Sequence, residues 1–151
     1  MTLSKIDEMI IAVDFDGTIV EHRYPAIGKE IPFAFETLRM LIKDGHDLIL
    51  WTYRDGELLQ EAVDYCEANG VTFYAINNSY PGEKYELNVS RKIHADLFID
   101  DRSIGGLPGW GEIYHMINPN PLDPHQVDYK NRWTKSQERG LSNWLKRLFN
   151  W

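Results

Sequence analysis

Residues 11–18 read Ile-Ala-Val-Asp-Phe-Asp-Gly-Thr. The apolar run that begins at Met9 and reaches Val13 has the pattern of a strand buried on both faces. It stops at two carboxylates, Asp14 and Asp16, and Gly17 follows, a residue suited to a sharp change of chain direction. Two acids one residue apart at the end of a buried strand are costly unless a cation, a proton or a hydrogen-bond network compensates them. Hard carboxylate oxygens suit Mg²⁺, which takes oxygen ligands and accepts phosphate as a co-ligand. An isolated Asp-x-Asp-Gly is also compatible with a plain acidic loop, so the rest of the chain decides between the two.

Downstream of this strand, helices and strands alternate. Residues 19–31 are polar and turn-rich, expected as a loop or small hairpin. Pro32 suits the first turn of a helix with Phe35, Leu38, Leu41 and Ile42 on its apolar face and Gly45 as its stop. Residues 47–52 form a second expected strand, ending on Thr52, with Arg54 and Asp55 just beyond. Asp55 is placed to cap a helix in which Leu59, Ala62, Val63 and Cys66 recur at helical spacing before Gly70. A third strand is expected over 71–76, then a loop containing Pro81-Gly82 and a short helix before residue 92. The fourth strand, 95–99, ends in Asp100-Asp101, and a loop over 105–111 leads to a short helix through Met116.

Such alternation implies right-handed crossovers and a parallel sheet covered by helices. Open sheets of this kind place their sites at the carboxyl ends of the strands. Here three strands deliver polar residues to one edge: Asp14 and Asp16, Thr52 and Arg54, Asp100 and Asp101. Core packing alone does not produce that pattern.

Composition fits this reading and narrows it. The chain has 151 residues, 43% of them hydrophobic and 26% charged, which excludes a disordered polar tract and gives enough length for one proper core. A single cysteine, Cys66, rules out an internal disulfide, and its place on an apolar helix face makes it a small core residue rather than a nucleophile. No stretch is long and apolar enough for a transmembrane helix, and Met-Thr-Leu-Ser-Lys lacks a secretory h-region, so a cytoplasmic protein is expected and the Asn-x-Ser matches at Asn77 and Asn88 are taken as chance. The net charge of −7 is uneven: residues 126–151 carry +4 and residues 1–125 carry −11. A basic tail on an acidic body favours docking on itself or on a sister subunit, with an anionic partner as the third choice.

Taken in order, Asp14-x-Asp16-Gly-Thr, Thr52, Lys92 and Asp100-Asp101 resemble the four motifs of the haloacid dehalogenase-like (HAD) phosphatases, over about residues 9–117. The resemblance implies a three-layer α/β/α Rossmann-like HAD fold with a central parallel sheet. It implies a Mg²⁺-dependent phosphomonoesterase in which Asp14 attacks phosphorus to form an aspartyl-phosphate, and Asp16 acts first as acid and then as base. Metal ligands would be Asp14, Asp16 through its backbone carbonyl, Asp100 and Asp101, the last either as a ligand, through water, or by orienting Lys92; the alternative for one of Asp100 and Asp101 is a cap on the turn. Thr52 and Lys92 would hold phosphate; Arg91 and Lys84 are rivals to Lys92. A response-regulator receiver uses similar groups, but there the acid pair ends the first strand and the lysine comes last.

Thr-Tyr-Arg54 followed by Ile-Asp-Asp-Arg is also similar to the phosphatase domain of polynucleotide kinases, where an arginine after the second motif meets phosphate. Arg54 is therefore either a phosphate ligand or the partner of Asp55, Glu57 or another nearby acid.

The spacing between motifs leaves no room for an inserted cap domain, so an open site is expected, covered at most by a neighbouring subunit or the tail. His22, Arg23 and Tyr24 fall in the flap-like loop, and Trp110 beyond the last motif either lines the site or anchors the core. A small phosphorylated substrate is expected, with nucleic-acid 3′ ends less favoured, no membrane partner, and homo-oligomerisation left open. The contrasting function class is a non-enzymatic HAD-like module that binds a phosphorylated ligand; a binding module has no need of both Asp14 and Asp16. The expected division is a catalytic core over 1–117, then a linker, Asn118–Pro124, and a helix over 134–150 with Leu141, Trp144, Leu145 and Leu148 on one stripe.

Overall fold

The structure, a computed structural model, describes residues 8–119. It is a three-layer α/β Rossmann-like fold built on a four-stranded parallel sheet, with no cap domain among the described residues. The chain divides into two compact units, Met1–Trp110 and Gly111–Trp151. The tail helix expected over 134–150 and all of the linker beyond Pro119 lie outside the described residues.

In the first unit, β1 (Ile10–Val13), α1 (Ala34–Lys43), β2 (Asp47–Leu50), α2 (Gly56–Ala68), β3 (Ala75–Ile76) and β4 (Leu97–Ile99) follow in order. A further helix, α3 (Trp110–Ile117), begins at the end of this unit. The strands lie side by side as β3-β2-β1-β4. Register pairs Ile11 with Leu48 and Leu97, and Val13 with Leu50 and Ile99. The apolar runs read from the sequence are the sheet centre: Ile11, Ala12, Val13, Leu48, Ile49 and Leu50 are all buried. On one face Ala12, Ile49 and Ala75 meet Ile93, which the connection from β3 to β4 brings over the sheet.

The helices end as glycine chemistry dictates. At α1, Gly45 adopts φ 95° and donates to Ile42 O while His46 N–H reaches Leu41 O; at α2, Gly70 adopts φ 78° and donates to Glu67 O while Val71 N–H reaches Cys66 O. Both are six-to-one turns that need a left-handed residue just past the helix. The rings of Phe35 on α1 and Tyr65 on α2 lie 5.8 Å apart, so the two helices share a face of the sheet. Cys66 is fully buried, and that burial pushes its thiol up to about 12, in keeping with a core residue.

Some expectations are corrected. Ile42 is exposed, and Thr37 takes the buried position on α1 because its hydroxyl donates to Trp110 O at 3.3 Å. Asp55 stands at the N-cap of α2 with extended backbone, but its side chain makes no capping hydrogen bond. The third strand shrinks from the expected 71–76 to Ala75–Ile76, because only Ala75 and Ile76 find a partner in β2. Residues 77–92 form turns without the expected helix.

The connection from β1 runs to β2 on one side, whereas β4 lies on the other. The loops after β1 and β4 therefore start at neighbouring strand ends where the strand order reverses, the place where open parallel sheets form their sites.

Candidate functional site

The ladder continues one residue past β1: Asp14 N–H donates to Ile99 O at 3.0 Å, which sets Asp14 beside the start of the Asp100-Asp101 loop. One oxygen from each of Asp14, Asp100 and Asp101 lies within 4.8 Å of the others, all three residues half-buried. Burial pushes the Asp14 carboxyl up to about 7; Asp100 and Asp101 push the same way, while hydrogen bonds from the Phe15 backbone and the Thr18 hydroxyl oppose it. Oδ1 of Asp101 is buried and has no hydrogen-bond partner among the described residues.

The turn after β1 is built from its own backbone. Phe15 O accepts from the N–H groups of Thr18, Ile19 and Val20, and Gly17 N–H reaches Val20 O at 2.7 Å. Gly17 adopts φ 90°, which suits a residue without a Cβ. Thr18 is fully buried and ties the two halves of the site together. Its Oγ1 donates to Asp14 Oδ2 at 3.1 Å and accepts from Asp101 N–H at 3.0 Å, while its carbonyl accepts from Trp110 Nε1 at 3.0 Å. Trp110 is thus a buried anchor for the turn.

The Asp16 side chain is tied to Arg54 and is not one of the three grouped acids. Its two oxygens accept from Arg54 Nε at 2.7 Å and Arg54 Nη2 at 2.8 Å, a planar two-point clamp. The same guanidinium donates to Pro25 O and Ala26 O, each at 2.9 Å, and lies over the rings of Phe15 and Tyr24. Arg54 is 1% exposed, and the hydrogen bond it donates to Asp16 pushes its pKa up, so it remains charged. Arg54 pairs with an acid, Asp16 rather than Asp55 or Glu57. Four of its five N–H groups are committed inside the protein.

The flap-like loop spans 21–30 between paired ends: Glu21 N–H donates to Lys29 O, and Ile31 N–H to Ile19 O. At its surface, His22 Nε2 lies 3.2 Å from Arg102 Nη2, which follows the acid pair of β4. Thr52 is half-buried; its N–H donates to Asn77 Oδ1 at 2.8 Å and its hydroxyl accepts from Arg54 N–H. Asn77 Nδ2 in turn donates to Arg54 O at 3.4 Å, so this asparagine at the end of β3 shapes the loop after β2.

The structure therefore gathers Asp14, Asp100 and Asp101, places Asp16 with Arg54, and sets Thr52 at the same edge. The side chain of Asp16 is not in the three-acid group, which leaves its backbone carbonyl as the expected ligand atom. Lys92 is exposed in the turn region; its backbone N–H donates to Ser90 Oγ, and its ammonium makes no ion pair with a described residue. Thr18 and Asn77 were not legible as site residues. A hydroxyl directly after Asp-x-Asp-Gly, and an asparagine at a strand end where positive φ is tolerated, are the signals that point to them.

No family model and no curated protein matches the chain. Among solved structures it is similar to one described as a conserved protein from Bacteroides thetaiotaomicron, at 61% identity over 74% of this chain and 91% of that one, with a TM-score of 0.70. The chain belongs to the family of that conserved protein.

Proposed function

We propose that this protein is a Mg²⁺-dependent phosphomonoesterase of the HAD-like type, working through an aspartyl-phosphate on Asp14. The observation that carries the reading is the convergence of Asp14, Asp100 and Asp101 at neighbouring ends of parallel strands, with a fourth acid, Asp16, held apart in a hydrogen-bonded clamp. Three carboxylates pressed together without a cation repel one another, and Asp101 Oδ1 is buried without a partner among the described residues. A hard divalent ion fits that donor set, and Asp14, Asp100 and Asp101 would hold it. When bound, it would offset charge on the phosphoryl oxygens and lower the repulsion facing an anionic nucleophile.

Within the chain, Asp14 would attack phosphorus as the bond to the leaving oxygen breaks, with Asp16 giving its proton to that oxygen. Water would then attack the phosphoryl group on Asp14 and pass a proton to Asp16. The second step regenerates the Asp14 carboxylate and returns Asp16 to its protonated state for the next turnover. Thr52, at the end of β2, and Lys92 are the groups assigned to phosphate. The absence of a cap among the described residues favours an open site.

Hydrolysis of a dye-releasing aryl phosphate, with and without Mg²⁺, tests the reading. The expected result is turnover that needs Mg²⁺, stops on chelation and disappears in Asp14→Asn. Undiminished turnover in excess chelator, or in Asp14→Asn, contradicts it.

A further inference from the structure

Among the described residues, Arg54 is the least ordinary side chain: an arginine that is 1% exposed. A guanidinium enclosed this completely is rare unless every contact is matched, and here it is matched by two oxygens of one carboxylate, two loop carbonyls and two aromatic faces. Asp16 and the loop containing Pro25 and Ala26 are far apart in the chain from Arg54, yet all are fixed by it. Both Asp16 oxygens accept hydrogen bonds in the clamp, which fixes the plane and direction of the carboxylate.

Resting on the phosphatase reading above, we infer that Arg54 is a positioning residue for the second half of the reaction: it aims the Asp16 carboxylate, and through Pro25 and Ala26 the flap loop, for removal of a proton from the water that hydrolyses phospho-Asp14. In that step the water oxygen bonds to phosphorus, the bond from phosphorus to Asp14 breaks, one water proton passes to Asp16, and inorganic phosphate leaves. Phosphoryl transfer from an aryl phosphate does not depend on this clamp in the same way, because an aryl oxide leaves without needing a proton. Loss of the clamp slows breakdown of the intermediate more than its formation.

The test is a comparison of wild type with Arg54→Lys, which keeps the charge and loses the two-point fork. Turnover of an aryl phosphate in Mg²⁺ is followed together with the fraction of protein carrying covalent phosphate after an acid quench. The expected result is a fall in kcat of about 100-fold, KM unchanged or lowered, and covalent phosphate rising towards one per chain. Guanidinium ion added to Arg54→Ala is expected to restore part of kcat and lower the covalent fraction. A rise in KM with kcat retained identifies Arg54 as a phosphate contact and overturns the inference, as does a fall in kcat with no rise in covalent phosphate.

If Arg54→Lys fails to fold, the decision passes to Gly28→Ala. A Cβ there lands on the Glu21 carbonyl, so the loop that carries the Pro25 and Ala26 carbonyls must shift, with every site side chain retained. A raised covalent fraction supports the clamp, and an unchanged one overturns it. Wild type that never forms covalent phosphate removes the phosphatase reading itself; wild type that forms it, with variants that do not accumulate it, removes only the role of Arg54.

Discussion

The carboxylate of Asp101 lies against the Cα of Gly17: a Cβ added to Gly17 would come within 2.5 Å of Asp101 Oδ2 and 2.8 Å of its Cγ. The turn after β1 and the acid pair after β4 thus fit together only because residue 17 has no side chain. The left-handed φ of Gly17 adds a second reason for glycine. Gly17→Ala is expected to lower stability by about 2–4 kcal/mol, from backbone strain and overpacking together. It should also weaken divalent-ion binding by displacing Asp101. Denaturant unfolding and titration calorimetry with Mg²⁺ measure the two effects, and an unchanged ion affinity would show that Asp101 is not a ligand.

Asp14 gives the fold a dependence on pH. Its carboxyl titrates near 3.8 when unfolded and at about 7 when folded, raised chiefly by burial. Between these values the folded state holds a proton that the unfolded chain has released, so stability falls as pH rises through this window and the loss is complete above it. Asp14→Asn removes that loss. The variant is expected to be more stable than wild type by about 1–2 kcal/mol near pH 8, and by progressively less as pH falls towards about 4, the figure being discounted for solvent at a half-buried group. Urea unfolding of both proteins across the window checks the sign, and saturating Mg²⁺ should narrow the gap.

Thr18 joins Asp14 to Asp101 through one hydroxyl. Thr18→Val keeps the shape and strands the Asp101 N–H, at a cost of about 1–3 kcal/mol. It also removes a hydrogen bond that opposes the upward shift at Asp14, so the pH window of stability loss should extend upward. Unfolding measured against pH detects this; an unshifted window would mean that the hydroxyl does not act on Asp14.

The sheet and its acidic edge could be read from the sequence because both are local signals. Apolar runs ending in carboxylates mark Val13 and Ile99 as strand ends, and Gly45 and Gly70 mark helix ends, each within a few neighbouring residues. What was hidden depends on distant partners. Nothing near Arg54 in the chain shows that it reaches back to Asp16 and the carbonyls of Pro25 and Ala26. Thr37 looks like a surface residue until the carbonyl of Trp110 supplies its acceptor, and Ile42 looks like a core residue on the same helix. The third strand is shorter than its apolar pattern suggests because Val71 is buried without pairing to β2. The turns over 77–92 carry neither helical nor strand periodicity strong enough to fix their course, which is why Lys92 could be chosen only by its distance from Asp100.

Phosphorylation of Asp14 during turnover is read out most directly by mass analysis of acid-quenched protein after incubation with a phosphomonoester and Mg²⁺. The experiment compares wild type, Asp16→Asn and Asp14→Asn. One phosphoryl group is expected on the peptide containing Asp14, at low occupancy in wild type and higher occupancy in Asp16→Asn, dependent on Mg²⁺ and absent from Asp14→Asn. Turnover with no phosphoryl group on any variant, or with the group on another residue, would contradict phosphorylation of Asp14.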